Sequence, residues 1–184
     1  LNSAINLASQ GQIVTFGLKP KCAETGFGYI EYADNDVISF REKPNQEMAE
    51  SFLQSGNFLW NSGCFCFKAG VYLEELKKYE PEVHSASKRA FFKSNGIFLN
   101  EILSKEIPSI SVDYAVMEKT NKAVVVTLDA GWSDVGSWSS LWDVMAKDDN
   151  NNVHKGDVLS VSSQNNYVFA ETGLVATVGL ENTI

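Results

Sequence analysis

Asp134 lies in the run Gly-Trp-Ser-Asp-Val-Gly-Ser-Trp, between two tryptophans and beside Gly136. A carboxylate in such a turn has two possible uses. It can cap a following helix, a role open equally to Ser137, or it can be offered to a divalent cation, since hard oxygen ligands suit magnesium. Glu42 and Lys43 form a charged pair before Pro44. Strand alternation turns them to opposite faces, and a solvated strand end is the plain alternative to a ligand site. Asn61 and Ser62 interrupt the most apolar stretch of the chain, Phe58 to Phe67. A buried asparagine must have its hydrogen bonds satisfied, either by the core or by a polyhydroxylated ligand, because an amide both donates and accepts. Gly28 closes a Gly-x-Gly whose third glycine and following helix are lacking, so a dinucleotide fingerprint fails there. Close approach of backbone to a ligand remains open at that glycine.

These residues need a scaffold, and the hydrophobic pattern supplies one. Ala123 to Leu128 is apolar and β-branched without alternation, the signature of a strand buried on both faces. It breaks at Asp129-Ala130-Gly131, and Trp138, Leu141, Trp142 and Met145 then recur at helical spacing. The turn between a strand end and a helix start is where open α/β sheets place ligand chemistry. Asn2 to Gln10 reads as a helix stopped by Gly11, and Ile13 to Phe16 as a short buried strand. Asp34-Asn35-Asp36 turns a hairpin between YIEYA and VISFREK. In its second strand Val37, Ser39, Arg41 and Lys43 share one face, and Ile38, Phe40 and Glu42 the other. A helix from Asn45 stops at Gly56, another runs from Gly70 to Phe92 with a restart at Pro81, and Phe98 to Leu103 continues it. Ser111 reads as the N-cap of a helix through Lys119, which makes Asp113 a first-turn dipole residue with a weak functional claim. Asn150 to Asn152 is a turn, and short strands follow at Val158–Ser162, Tyr167–Ala170 and Leu174–Val178. No repeat of 20–50 residues is present.

Composition narrows the function classes. The chain has 184 residues, 44% hydrophobic and 21% charged, with a formal net charge of −8. That charge argues against a nucleic-acid or anionic-membrane surface, while a small anionic ligand needs only a lysine or two and some backbone N–H groups. No stretch approaches the roughly 18 apolar residues of a membrane span, and no leader is seen. Cys22, Cys64 and Cys66 are too few for a disulfide framework and indicate a reducing cytoplasm. A zinc site on Cys64 and Cys66 would need further ligands, and His84 and His154 are isolated in sequence, so free core thiols are expected. The start at Leu1 and the strand-like finish at Ile184 suggest that both ends are cut.

Four stretches stand in one order: ETGFGYIE, FREKP, WNSGCFCF, and SVDYAVMEK leading to GWSDVGSW. Together they resemble the sugar-nucleotide pyrophosphorylases, most closely the mannose-1-phosphate guanylyltransferases of the bacterial kind often fused to a mannose-6-phosphate isomerase. The likeness runs from INLASQGQIVTFGLKP to HKGDVLSV. It implies an α/β fold with a Rossmann-like mixed sheet flanked by helices, and a reaction of GTP with mannose 1-phosphate. It further implies that Gly28 offers backbone to the sugar, that Glu42 and Asn61 bind its hydroxyls, and that Lys43 contacts the phosphate. Asp134 would help hold magnesium, making Lys43 and Asp134 the catalytic pair; Arg41, Ser62, Asp113 and Ser133 stand as supporting or structural residues.

The family's glycine-rich G-x-G-x-R-x-x-P stretch is not in this chain, nor is the partner aspartate for the metal. The expectation is therefore a sugar-phosphate-binding part over 1–150 and the start of a C-terminal β segment over 151–184. The N-terminal nucleotide-binding half is missing, and the chain alone is inactive with GTP. The resemblance also implies a cytoplasmic homo-oligomer, a dimer or larger. A non-catalytic module of the same fold, or a pyrophosphorylase for another sugar or nucleotide, are the competing readings.

Overall fold

The computed structural model describes residues 1–94 and 98–184. Contacts divide the chain into two compact units, Leu1–Ala130 and Gly131–Ile184.

The first unit is built on five strands: β1 (Ile13–Leu18), β2 (Tyr29–Ala33), β3 (Asp36–Arg41), β4 (Phe58–Cys66) and β5 (Ala123–Thr127). Their order is β1-β4-β2-β3-β5, and β5 returns alongside β1. The β1–β5 pair is parallel and the others antiparallel, so the sheet is mixed; a single β3–β5 pair, Asp36 with Val124, closes the ring. Both faces of β1 are covered. Val14 and Phe16 pack with Val124 against Ala4 and Ala8 of α1 (Asn2–Ser9). Ile13 packs with Ile30, Phe40, Leu59 and Val125 against Leu76 of α3 (Ala69–Tyr79) and against Ala115, Val116 and Met117. This is the α/β mixed sheet flanked by helices that the sequence led us to expect. Of the run Ala123 to Leu128, expected to be buried on both faces, Ala123, Val124 and Val125 are buried. Val126 and Leu128 are half-buried and Thr127 is exposed, so the expectation holds for its first half only.

Three local expectations change. The hairpin faces do not alternate as read, because the β2–β3 register shifts between Glu31 and Tyr32. Val37 and Phe40 both pack on the core while Ile38 is left exposed. An extra residue in one strand moves the following side chains to the other face. The segment Ser109–Lys119 is not a capped α-helix: Asp113–Met117 forms one turn of π-helix. Finally, Cys22 and Cys64 are exposed and Cys66 half-buried, so they are not core thiols. The remaining helices of this unit are α2 (Gln46–Ser55), α4 (Pro81–Phe92) and α5 (Glu101–Lys105), with Phe98–Asn100 outside α5. Asn45 caps α2 through the Met48 N–H at 2.9 Å, and Gly56 ends it in the left-handed region.

One buried charge ties α3 to the entry of β5. Glu75, with its side chain only 5% exposed, accepts from the Thr120 hydroxyl at 2.7 Å and pairs with Lys122 at 3.0 Å. Burial alone would raise its pKa, but the hydrogen bonds from Thr120 and Lys122 and the Lys122 charge together hold it below the usual value. A carboxylate lowered in this way stabilises the fold above its unfolded pKa and loses that contribution as pH falls through the folded value. Lys122→Met is expected to cost about 1–2 kcal/mol at neutral pH, less than for a fully buried pair because the lysine is partly solvated. Denaturant unfolding at several pH values checks this, and the deficit should shrink as Glu75 takes a proton.

The second unit contains α6 (Trp138–Val144) and four short strands, β6 (Val153–Lys155), β7 (Val158–Val161), β8 (Tyr167–Phe169) and β9 (Val175–Val178). Strands β6 and β8 pair in parallel, as do β7 and β9, and Gln164 bridges Glu181 in the same sense. Val153 sits beside Tyr167 and Val158 beside Val175, so one coil of chain lies on the next with offsets of 14 and 17 residues. The period is shorter than the repeats sought in the sequence. Asn151, Asn165 and Asn182 turn corresponding corners with φ of 59°, 56° and 52°, a conformation asparagine tolerates better than most residues. The neighbouring Asn152 and Asn166 are buried and stacked, the Asn166 amide donating to Asn152 Oδ1 at 3.0 Å. Trp138, the first of the residues at helical spacing, is 58% exposed. Trp142 is half-buried, and its indole N–H donates to the Asn151 carbonyl at 3.0 Å. Among the described residues no helix is long and apolar enough to cross a membrane.

Candidate functional site

Three residues distant in sequence meet where β2 begins and β3 ends, beside the middle of β4. Gly28 immediately precedes β2, and its carbonyl accepts from the Asn61 backbone N–H at 2.8 Å. Glu42 follows β3, and its side chain folds back over Gly28. A Cβ on Gly28 would lie 2.5 Å from Glu42 Oε2, 3.3 Å from Asn61 Cβ and 3.5 Å from Phe40 Cε1. The glycine is there for space, since its φ is not in the left-handed region. Lys43 adopts φ 47°, an uncommon choice for a side chain of this size. Its Nζ stands 3.8 Å from Glu42 Oε1; the Lys43 side chain is 63% exposed and that of Glu42 13%.

Asn61 owes its position to an irregularity in β4. The β1–β4 register shifts between Thr15 and Gly17, and Gly63 takes φ 72°. Bulges re-aim side chains in this way beside functional sites. The Asn61 amide oxygen accepts from the buried Thr15 hydroxyl at 3.0 Å and from the Gly63 N–H at 3.2 Å. Its nitrogen donates to Asp113 Oδ1 at 3.1 Å.

Asp113 therefore belongs to this site. The π turn has its wide hydrogen bond from the Glu118 N–H to the Asp113 carbonyl, 3.0 Å, and is anchored by buried Ala115, Val116 and Met117. Single π turns often mark functional positions. The same turn brings Glu118 round so that its carboxylate accepts from the Glu42 N–H at 3.2 Å. Glu42 thus has two further carboxylates near it, Asp113 and Glu118, and Lys43 as its ion-pair partner. Burial and then the Asp113 charge push the Glu42 pKa up, Lys43 opposes them, and Glu118 adds to the rise. Asp113 is likewise raised, first by burial, against hydrogen bonds from its own backbone, Ser111 and Asn61. Acceptors concentrated in this way suit the hydroxyl groups of a neutral ligand, and the exposed ammonium of Lys43 suits an anionic one.

Sequence reading placed Gly28, Glu42, Lys43 and Asn61 in one site, and the structure brings them together. It gave Asp113 only a supporting or structural role, and it missed Glu118 and Thr15 as members. Asp113 opens a π turn, and hydrophobic periodicity carries no signal for one.

Asp134 lies in the second unit, exposed, in an irregular run that ends at α6. The cap of α6 is Ser137, whose Oγ accepts from the Ser140 N–H at 3.1 Å. Asp134 lends only its backbone carbonyl, to the Gly136 N–H at 2.7 Å, and its carboxylate makes no hydrogen bond among the described residues. Nor do the described residues include a cluster of three or more histidine, cysteine, aspartate or glutamate side chains that could hold a metal by itself. A lone free carboxylate fits magnesium, which commonly takes one or two carboxylates and completes its shell with water and phosphate oxygens.

The model of a family described as nucleotidyl transferase matches residues 1–151. Mannose-1-phosphate guanylyltransferase 2 of Escherichia coli O157:H7 is 44% identical across the whole chain, which corresponds to 42% of that protein. A Thermus thermophilus structure described as a mannose-1-phosphate geranyltransferase superposes with a TM-score of 0.83 at 30% identity, covering 98% of this chain and 54% of its own. A Helicobacter pylori structure described as a mannose-6-phosphate isomerase superposes with a TM-score of 0.68 at 40% identity, covering 72% and 56%. The chain spans about two fifths of the length of the sequence relatives it matches.

Proposed function

The chain belongs to the nucleotidyl transferase family, and from that premise we propose that it acts in making GDP-mannose and pyrophosphate from GTP and α-D-mannose 1-phosphate, holding the sugar phosphate. The observation that carries this reading is the convergence of Gly28, Glu42 and Asn61, with a Cβ on Gly28 falling 2.5 Å from one partner and 3.3 Å from the other. A flat glycine floor between an amide and a carboxylate suits a ring bearing hydroxyls. The names of the sequence relatives point to the same substrates.

In the reaction, a phosphate oxygen of mannose 1-phosphate attacks the α-phosphorus of GTP. A new P–O bond forms as the bond to the β-phosphate oxygen breaks, and pyrophosphate leaves with that electron pair. Such transfers depend on positioning and charge neutralisation. Glu42 and Asn61 hold the sugar hydroxyls, and Lys43 sets its ammonium against the phosphate as a point charge. Asp134 would hold magnesium, which when bound neutralises phosphoryl charge.

The test is pyrophosphate release by the protein that carries this chain, with magnesium, GTP and mannose 1-phosphate. UTP and glucose 1-phosphate serve as competitors. Release with the first pair well above every other combination is the expected result. A folded protein that releases nothing with any nucleotide and sugar phosphate would overturn the enzyme reading and leave a binding module.

A further inference from the structure

The Asn61 amide has a fixed number of hydrogen bonds to give. Its oxygen has two lone pairs, and both are used, by the Thr15 hydroxyl and the Gly63 N–H. Its nitrogen has two protons, and one goes to Asp113. One N–H remains. The orientation is not reversible. The Gly63 backbone N–H can only donate, and the Asp113 carboxylate when ionised can only accept. A flipped amide would set N–H against N–H on one side and oxygen against oxygen on the other.

We propose that Asp113 is a positioning residue that fixes the Asn61 amide, so that the site offers a sugar hydroxyl one donor from Asn61 and one acceptor from Glu42. This deepens the proposed function and rests on it for the identity of the sugar, though not for the geometry of the amide. It also corrects the expectation that Asn61 both donates and accepts toward a ligand, because its acceptor capacity is used up inside the protein. The hydroxyl between the two must receive from Asn61 and give to Glu42. A fluorine in its place keeps the first bond and loses the second; a hydrogen loses both. A carboxylate in its place adds a further negative charge to those of Glu42, Asp113 and Glu118. The site therefore selects sugar phosphates with a neutral hydroxyl at that position over those that carry a carboxylate there.

The construction explains why a π turn is used. Ala115, Val116 and Met117 are buried in the core, which leaves Asp113 little freedom to move. On the other side Thr15 is wholly buried in β1. The amide is thus clamped between two rigid elements, which is how a binding group is held to one geometry.

The experiment follows the Asn61 side-chain amide by nuclear magnetic resonance in the protein that carries this chain, as wild type, Asp113→Ala and Asp113→Asn. In the wild type the two amide protons should differ widely in shift, with one protected from exchange. Asp113→Ala should remove both properties. Asp113→Asn keeps an acceptor oxygen at the same place and should restore most of them. Titration with mannose 1-phosphate should then show affinity at least tenfold weaker in Asp113→Ala and within about threefold of wild type in Asp113→Asn. With monodeoxy and monodeoxyfluoro analogues, wild type should rank hydroxyl above fluorine above hydrogen at one ring position, a ranking flattened in Asp113→Ala. An Asn61 amide unchanged in Asp113→Ala would overturn the positioning role. Equal affinity of wild type and Asp113→Ala would overturn the selective role. A wild-type protein with an ordered amide that binds no sugar phosphate would overturn the substrate reading and, with it, the sugar part of this inference.

Discussion

Asp134→Asn is expected to lower pyrophosphate release by about 100-fold or more, the size seen when a stabiliser of transition-state charge is removed. The substitution keeps shape and removes charge, and the structure makes it clean. Because Ser137 caps α6, the asparagine takes no cap away. Because the Asp134 carboxylate bonds to nothing among the described residues, no network is broken. Ser137→Ala is the matching control: it should cost roughly 1 kcal/mol of local stability and leave turnover nearly unchanged. The readouts are the rate at saturating substrates and its dependence on magnesium concentration, which should shift upward in the variant. A rate unaffected by Asp134→Asn would remove this carboxylate from the chemistry and leave the sugar-binding reading intact.

The contrast between Asp134 and Asp113 shows what could be read without coordinates. Both are aspartates near the start of a helical stretch, and for both the sequence offered capping or first-turn electrostatics as the plain role. For Asp134 the flanking glycines and tryptophans carried the family resemblance, and the capping question was settled by a neighbour's hydroxyl. For Asp113 the cap at Ser111 called for an α-helix through Lys119. One extra residue per turn rotates a side chain away from where an α-helix puts it. The same limit applied to the β3 hairpin, where one register shift set Val37 and Phe40 on the core together. Strands and helices as such were legible because burial imposes a period. The bulges and the π turn that aim Asn61 and Asp113 break the period, and short breaks are the places where sites are built. The stacked coils of the second unit escaped for another reason. Their offsets of 14 and 17 residues are unequal, and their signature is an asparagine at corresponding corners, which resembles an ordinary turn.

Gly28→Ala should abolish most sugar-phosphate binding while leaving the fold nearly as stable as before, and the reason lies in what the new methyl group meets. Its first collision is with Glu42 Oε2 at 2.5 Å, the far end of a flexible side chain. The carboxylate can swing aside at little cost to stability, but it then leaves the position from which it accepts from the ligand. Losing one charge-assisted hydrogen bond costs about 1.5–3 kcal/mol, which predicts affinity for mannose 1-phosphate roughly 10- to 100-fold weaker. Gly17→Ala supplies the opposite case. Its methyl group would meet Leu59 Cδ1 at 2.5 Å, Val125 Cγ2 at 2.8 Å and Leu59 Cβ at 2.9 Å, all inside the core. Overpacking there should cost about 1–3 kcal/mol of stability, with binding altered only through the unfolded fraction. Thermal unfolding and calorimetric titration on the two variants separate the cases. If Gly28→Ala lowered the melting temperature as much as Gly17→Ala and bound sugar phosphate normally once folded, then Gly28 would be a packing residue, and the ligand would have to lie elsewhere.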